Sequence, residues 1–208
     1  MLAVIQLRIG VIVMHDAVRD HLIQNALPAA TDYAEAEAAL SAAYQADSGP
    51  AAWAQAARLA KRRAAELAIA LDGLADRFKT VSGLSLTKIR NDIDASCYWP
   101  GSSSLRAGAY ARVRGVAQAY KHADLNDPSL PITSDSDVLV VALGYGLDGY
   151  GVGKFSGVEV LVRDKSGTVW KFLGDVPCVF SAWFKFLAAN GTILSDEAFE
   201  VCGLQVHP

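Results

Sequence analysis

Two stretches of the chain concentrate residues able to do chemistry. Around positions 112–127 stand Arg112, Arg114, Lys121, His122, Asp124 and Asp127. His122 is a candidate general acid or base, because an imidazole titrates near neutrality. Lys121 and His122 also suit a helix C-terminus, where cations are favoured. The second stretch, Leu143–Gly157, reads LGYGLDGYGVGKFSG and holds six glycines. Glycine tolerates positive φ and lets backbone approach closely, so this density implies an unusual turn, a backbone-lined pocket, or both. Tyr145, Asp148, Tyr150 and Lys154 are the contacting groups it offers.

The glycine stretch superficially matches three nucleotide-binding patterns and fits the context of none. Gly144, Gly146 and Gly149 have G-x-G-x-x-G spacing after an apolar run. A dinucleotide site then needs a helix whose N-terminus meets the pyrophosphate, and residues 150–157 are too glycine-rich to form one. Gly153 and Lys154 fit the end of a Walker A loop, but Asp148 stands at its first glycine and Phe155 where a metal-binding hydroxyl is required. A strand–loop–strand layout also suits a kinase phosphate loop, yet neither HRD nor DFG follows. The stretch reads as a wide hairpin connection, with a ligand- or partner-binding loop as the alternative.

No metal or nucleophile pattern stands out, and no cofactor is expected. Cys97, Cys178 and Cys202 lack ligand spacing, and an odd number argues against a disulfide framework. Set among apolar neighbours, they read as buried free thiols in a reducing cytoplasm. Arg90 can pair with Asp94 at i,i+4. Asp135 and Asp137 point one way if extended, as cation ligands would, although a solvated strand end is the simpler account. Ser102–Ser104 lacks a G-x-S-x-G elbow, and Ser104 reads as a helix cap. Tyr98 and Trp99 read as core at one end of the helices.

The elements that must position these residues differ between the two halves. Thirty of 35 alanines precede Asp124, where helix propensity is high. Through Ala123 there are 14 basic and 11 acidic residues, a net +3; the remainder has 5 and 11, a net −6. Helices are expected near 14–26, 31–47, 51–79, 86–98 and 104–123, with Pro28 separating the first two. In the third, Trp53, Ala57, Ala60, Ala64, Leu67, Leu71, Leu74 and Phe78 form an apolar stripe at helical spacing. After a breaker-rich linker at 126–131, Val138–Leu143 reads as a central strand. Val158–Arg163 and Thr168–Leu173 flank Asp164-Lys165-Ser166-Gly167 as a hairpin. Asp175 then caps an amphipathic helix over 176–190, with Pro177 in its first turn. A helix or strand closes the chain near 196–206.

The fold class is therefore α+β: an Ala-rich antiparallel helical bundle (14–125), then a small β-β-β-α unit (132–208) packed on it. An apolar arm, residues 1–13, is too short to span a bilayer and lacks the features of a signal peptide. It is a strand, a docking arm, or sequence translated upstream of Met14. No other segment reads as a membrane span.

A bundle of four or five helices with an arginine and a histidine near the end of its last helix resembles the HEPN superfamily. Many of its members are RNases with an R-x(4–6)-H motif at a dimer interface. The resemblance covers at most residues 14–124 and is architectural, since Arg114 and His122 are separated by seven residues. It implies metal-independent RNA cleavage by Arg114 and His122, in a homodimer. The helix end followed by a small β region is also similar to various uncharacterised bacterial proteins, a likeness that implies no activity. On a helical wheel Arg114 shares a polar face with Lys121, while His122 lies toward Gln118, so a solvated face accounts for both.

The expectation is an intracellular, bacterial-type protein acting as a non-catalytic interaction or ligand-binding module. Its site is the junction of the halves, bordered by Arg112, His122, Asp124 and the glycine loop. A HEPN-like RNase and an assembly component docking through the arm are the alternatives. The expected partners are a protein or small molecule, RNA in the RNase case, and no membrane.

Overall fold

The computed structural model describes residues 16–46, 49–122, 125–142 and 157–208. The apolar arm, Asp124 and the glycine-rich residues 143–156, with Tyr145, Asp148, Tyr150 and Lys154, lie outside the described residues. Helix α1 (residues 16–21) continues through a π-wound turn, Leu22–Ala26, into α2 (Leu27–Ala46). Pro28 therefore does not separate two helices. Its ring would crowd the carbonyl four residues back in an ordinary α-helix. The wider turn just before it, in which the Leu27 N–H donates to Leu22 O, accommodates the ring.

Helix α3 (Pro50–Ser82) runs antiparallel to α2 and buries Ala57, Ala60, Ala64, Leu67, Leu71, Leu74 and Phe78, as the stripe requires. Helix α4 (Leu86–Asp94) is capped by Ser85 and shorter than its periodicity suggests. Helix α5 (Ala109–Lys121) begins five residues later than expected. Ser104 is not its cap. Residues 97–106 instead fold back on themselves, with the Arg106 N–H donating to Cys97 O and the Trp99 N–H to Ser104 O. Gly108 starts the helix at φ +73, and a Cβ there would lie 3.0 Å from Arg112 Nη1, so only glycine fits without strain.

Strands β1 (Val138–Ala142), β2 (Val158–Arg163) and β3 (Val169–Lys171) form an antiparallel sheet in the order β1-β2-β3. The α+β class is thus observed. Among the described strands β2, not β1, is central, and it is buried on both faces up to Arg163. Helix α6 (Phe172–Ala189) is as long and apolar as a membrane span, with a mean hydropathy of 1.3, yet 78% of it is buried inside the protein. The tail is a hairpin of β4 (Phe199–Val201) and β5 (Leu204–Val206). Cys202 (φ 51) and Gly203 (φ 82) make its two-residue turn, the conformation that matches strand twist.

One core spans both halves of the chain. Trp183, Phe180 and Phe184 of α6 share it with Tyr33, Phe78 and Tyr110 of the helices, all fully buried. Edge-to-face pairs cross between helices, Phe78 with Phe186 at 4.8 Å and Tyr110 with Trp183 at 6.1 Å. Two buried carboxylates tie the layers. Glu37 of α2 accepts from the Tyr33 hydroxyl at 2.8 Å and from the Val160 N–H at 2.9 Å. It thereby satisfies a donor of β2 beyond the end of β3, whose ladder stops at Leu161. Asp175 is fully buried within the first turn of α6. It accepts from Arg106 Nε at 2.5 Å and from Arg112 Nε and Nη2 at 2.8 and 2.7 Å. Arg112 also stacks over the Trp170 ring, 4.1 Å from its centroid.

Candidate functional site

The last turns of α5 and the segment after it border an open cleft of about 350 Å³. Arg114, Gln118 and His122 supply one wall, Arg90 of α4 faces them, and Asn126 and Asp127 form the rim. Arg114, Gln118 and His122 are spaced i, i+4 and i+8, so the helix carries them along one side. His122 is the C-terminal cap of α5, extended at φ −134, with its N–H donating to Gln118 O. It is exposed, whereas Arg114 is buried, so a shared solvated face does not describe the pair. The structure brings Arg114 and His122 to one cleft.

Asp72 of α3 lies beneath the cleft, only 2% exposed. Its carboxylate accepts from Arg90 Nη2 at 3.1 Å and from Gln118 Nε2 at 3.0 Å, with Arg114 Nε 3.8 Å away. Arg90 thus pairs across to α3 rather than with Asp94 on its own helix. Asp94 accepts instead from the Tyr110 and Ala111 N–H groups at the start of α5. At the rim, Arg114 Nη2 reaches Asp127 Oδ2 at 3.4 Å, long for a charge-assisted bond. Hydrogen bonds from the Ser129 hydroxyl and N–H, with the attraction of Arg114, hold the Asp127 carboxyl below its ordinary range.

The arrangement is rich in donors. Each guanidinium carries five N–H donors. Against the two here stand the carboxylates Asp72, which also serves Gln118, and Asp127. Arg90 Nε and Arg114 Nε are buried without a hydrogen-bond acceptor. A carboxylate or phosphate entering the cleft would find planar, fork-shaped donors on two walls.

Arg112, expected at this junction, points away into the Asp175 pair, where it also donates to Ala107 O at 3.0 Å. Asp135 and Asp137 are engaged by separate partners. Asp135 pairs with Lys61 Nζ at 2.9 Å, and Asp137 accepts from Thr133, Ser134 and Arg163. No group of three His, Cys, Asp or Glu side chains among the described residues is placed to hold a metal. All three cysteines are free. Burial pushes the Cys178 and Cys202 thiols up to about 12 and raises Cys97 further.

Reading the sequence did not single out Asp72 or gather Arg90, Gln118 and Asn126 into one site. A signal for Asp72 exists, a lone charge between Ala68 and Ala75 in a buried helical row. No protein family matches this chain, and no curated protein and no solved structure is significantly similar to it.

Proposed function

We propose that the protein is a non-catalytic binding module whose site is the Arg90–Arg114–His122 cleft and whose ligand is a small oxyanion-bearing molecule, a carboxylate or a phosphate. The observation that carries this reading is the convergence of two guanidiniums and an exposed imidazole over one buried carboxylate, Asp72. Asp72 holds the guanidiniums in place and lowers the cost of burying them. The long Arg114–Asp127 contact is the exchangeable one, so an incoming oxyanion takes the place of Asp127 on Arg114. Free thiols throughout support a reducing compartment such as the cytoplasm. The test is calorimetric titration with inorganic phosphate and with succinate. Saturable heat that weakens in His122→Ala and Arg114→Lys supports the reading, and no heat with either anion rejects it.

A second reading follows from Arg114 and His122 sharing the cleft: metal-independent RNA cleavage of the HEPN type, with His122 as the proton-transfer group and Arg114 as the phosphate ligand. Incubation with total RNA in the presence of a chelator separates the two. Cleavage lost in a folded His122→Ala variant favours the nuclease, and intact RNA with wild-type protein removes it.

A further inference from the structure

A groove runs along the outer seam of α2 and α3 and shares no lining residue with the cleft. Two hollows, of about 630 and 250 Å³, meet at Leu59. The floor is small and apolar, with Ala36, Ala39 and Ala43 from α2 and Ala52 and Ala56 from α3. Leu59 itself is 38% exposed, one of few large apolar side chains so open among the described residues.

The walls carry opposite charge. The α2 wall presents Asp32 and Glu35, and the α3 wall presents Arg58, Arg62 and Arg63. Asp32 and Arg63 meet within the chain at 3.3 Å. Glu35 and Arg58 form no ion pair with any described residue, and Arg62 has a 3.5 Å contact with Glu66 while its side chain remains 53% exposed.

We propose that this groove seats a second copy of the chain, in a two-fold dimer whose axis runs along the groove, parallel to the helices. Rotation about that axis lays α2 of each copy over α3 of the other, antiparallel, with every residue kept at its own height. The acidic wall of each copy then covers the basic wall of its partner. Glu35 borders the same hollow as Leu59. At 1.5 Å rise per residue, Arg58 and Arg62 lie only about 1.5 and 4.5 Å along the axis from Leu59. Glu35 therefore meets the arginine pair, and the alanine floors let the four helices approach closely. The two Leu59 side chains face each other beside the axis. This surface stands independently of the function proposed for the cleft.

Sedimentation equilibrium on the full chain tests it. Wild type sediments as a dimer, and Leu59→Glu as a monomer with an unchanged far-UV circular dichroism spectrum. Glu35→Arg weakens the dimer at least tenfold, and adding Arg58→Glu and Arg62→Glu restores it. Leu59→Cys, next to the axis, forms an intermolecular disulfide on mild oxidation. A wild-type monomer at every concentration, or a dimer indifferent to Leu59→Glu and not cross-linked through Leu59→Cys, overturns the proposal.

Discussion

Arg90 Nη2 lies 3.1 Å from the buried carboxylate of Asp72, eighteen residues back along the chain. This pairing decides what the cleft is. A local pair with Asp94 would leave Arg90 on the outside of α4. Pairing across to α3 turns its guanidinium toward Arg114 and Gln118 and builds the wall that a ligand would meet. Asp94, released from Arg90, caps α5, so the arrangement sets the cleft and the helix start together.

On the proposed function, the rim carboxylate competes with an incoming anion for Arg114. Asp127→Asn keeps the acceptor for Ser129 but removes the charge. Anion affinity, measured by calorimetry, should rise by up to about fivefold, the size of one exposed ion pair. Because the folded Asp127 carboxyl is held below its ordinary range, its contribution to stability is present above that range and is lost as pH falls from it through the lowered folded value.

Asp175 joins the two halves. Asp175→Ala would leave Arg112 buried without its counter-charge, a loss of about 3–5 kcal/mol. Urea denaturation should show this as a lower midpoint. Asp175→Ala combined with Arg112→Met should cost less than the two single losses summed, because the second change removes a buried orphan.

Glu37 serves as a side-chain substitute for a missing strand partner. Glu37→Ala leaves the Val160 N–H and the Tyr33 hydroxyl without an acceptor, at about 1–3 kcal/mol for each orphaned donor. Tyr33→Phe removes one of the two and should cost about 1 kcal/mol by the same measurement.

The buried thiols make stability fall in alkali. Cys178 titrates at about 12 in the folded chain against an ordinary value of 9.0, because burial disfavours the thiolate. Above the ordinary value the unfolded chain releases a proton that the folded chain keeps. The contribution of this thiol is therefore level below pH 9 and declines between 9 and 12, by up to about 1.4 kcal/mol per pH unit. Cys178→Ala should flatten that decline in denaturation measured across alkaline pH.

Much of the fold was legible from local pattern. The α3 stripe, the β2–β3 hairpin and the helix over α6 follow from spacing that sequence states directly. What was not legible depends on partners distant in sequence. Pro28 reads as a break because the π-wound turn that absorbs it has no residue signature. Asp175 reads as a cap because nothing near it announces Arg106 and Arg112, which arrive from more than sixty residues away. The cleft was half visible. Arg114 and His122 stood out by type, but Asp72, which holds Arg90 and Gln118 in place, sits in an alanine row on another helix.

Oxyanion binding in the Arg90–Arg114–His122 cleft has a direct readout. It is tested most directly by an NMR titration with inorganic phosphate that follows the Gln118 side-chain amide and the His122 imidazole. Binding at this cleft gives saturable shifts at both groups, with Trp183 in the core unmoved, and is weaker in Arg114→Lys. Unmoved Gln118 and His122 signals in a folded protein, with phosphate at saturating levels, would contradict it.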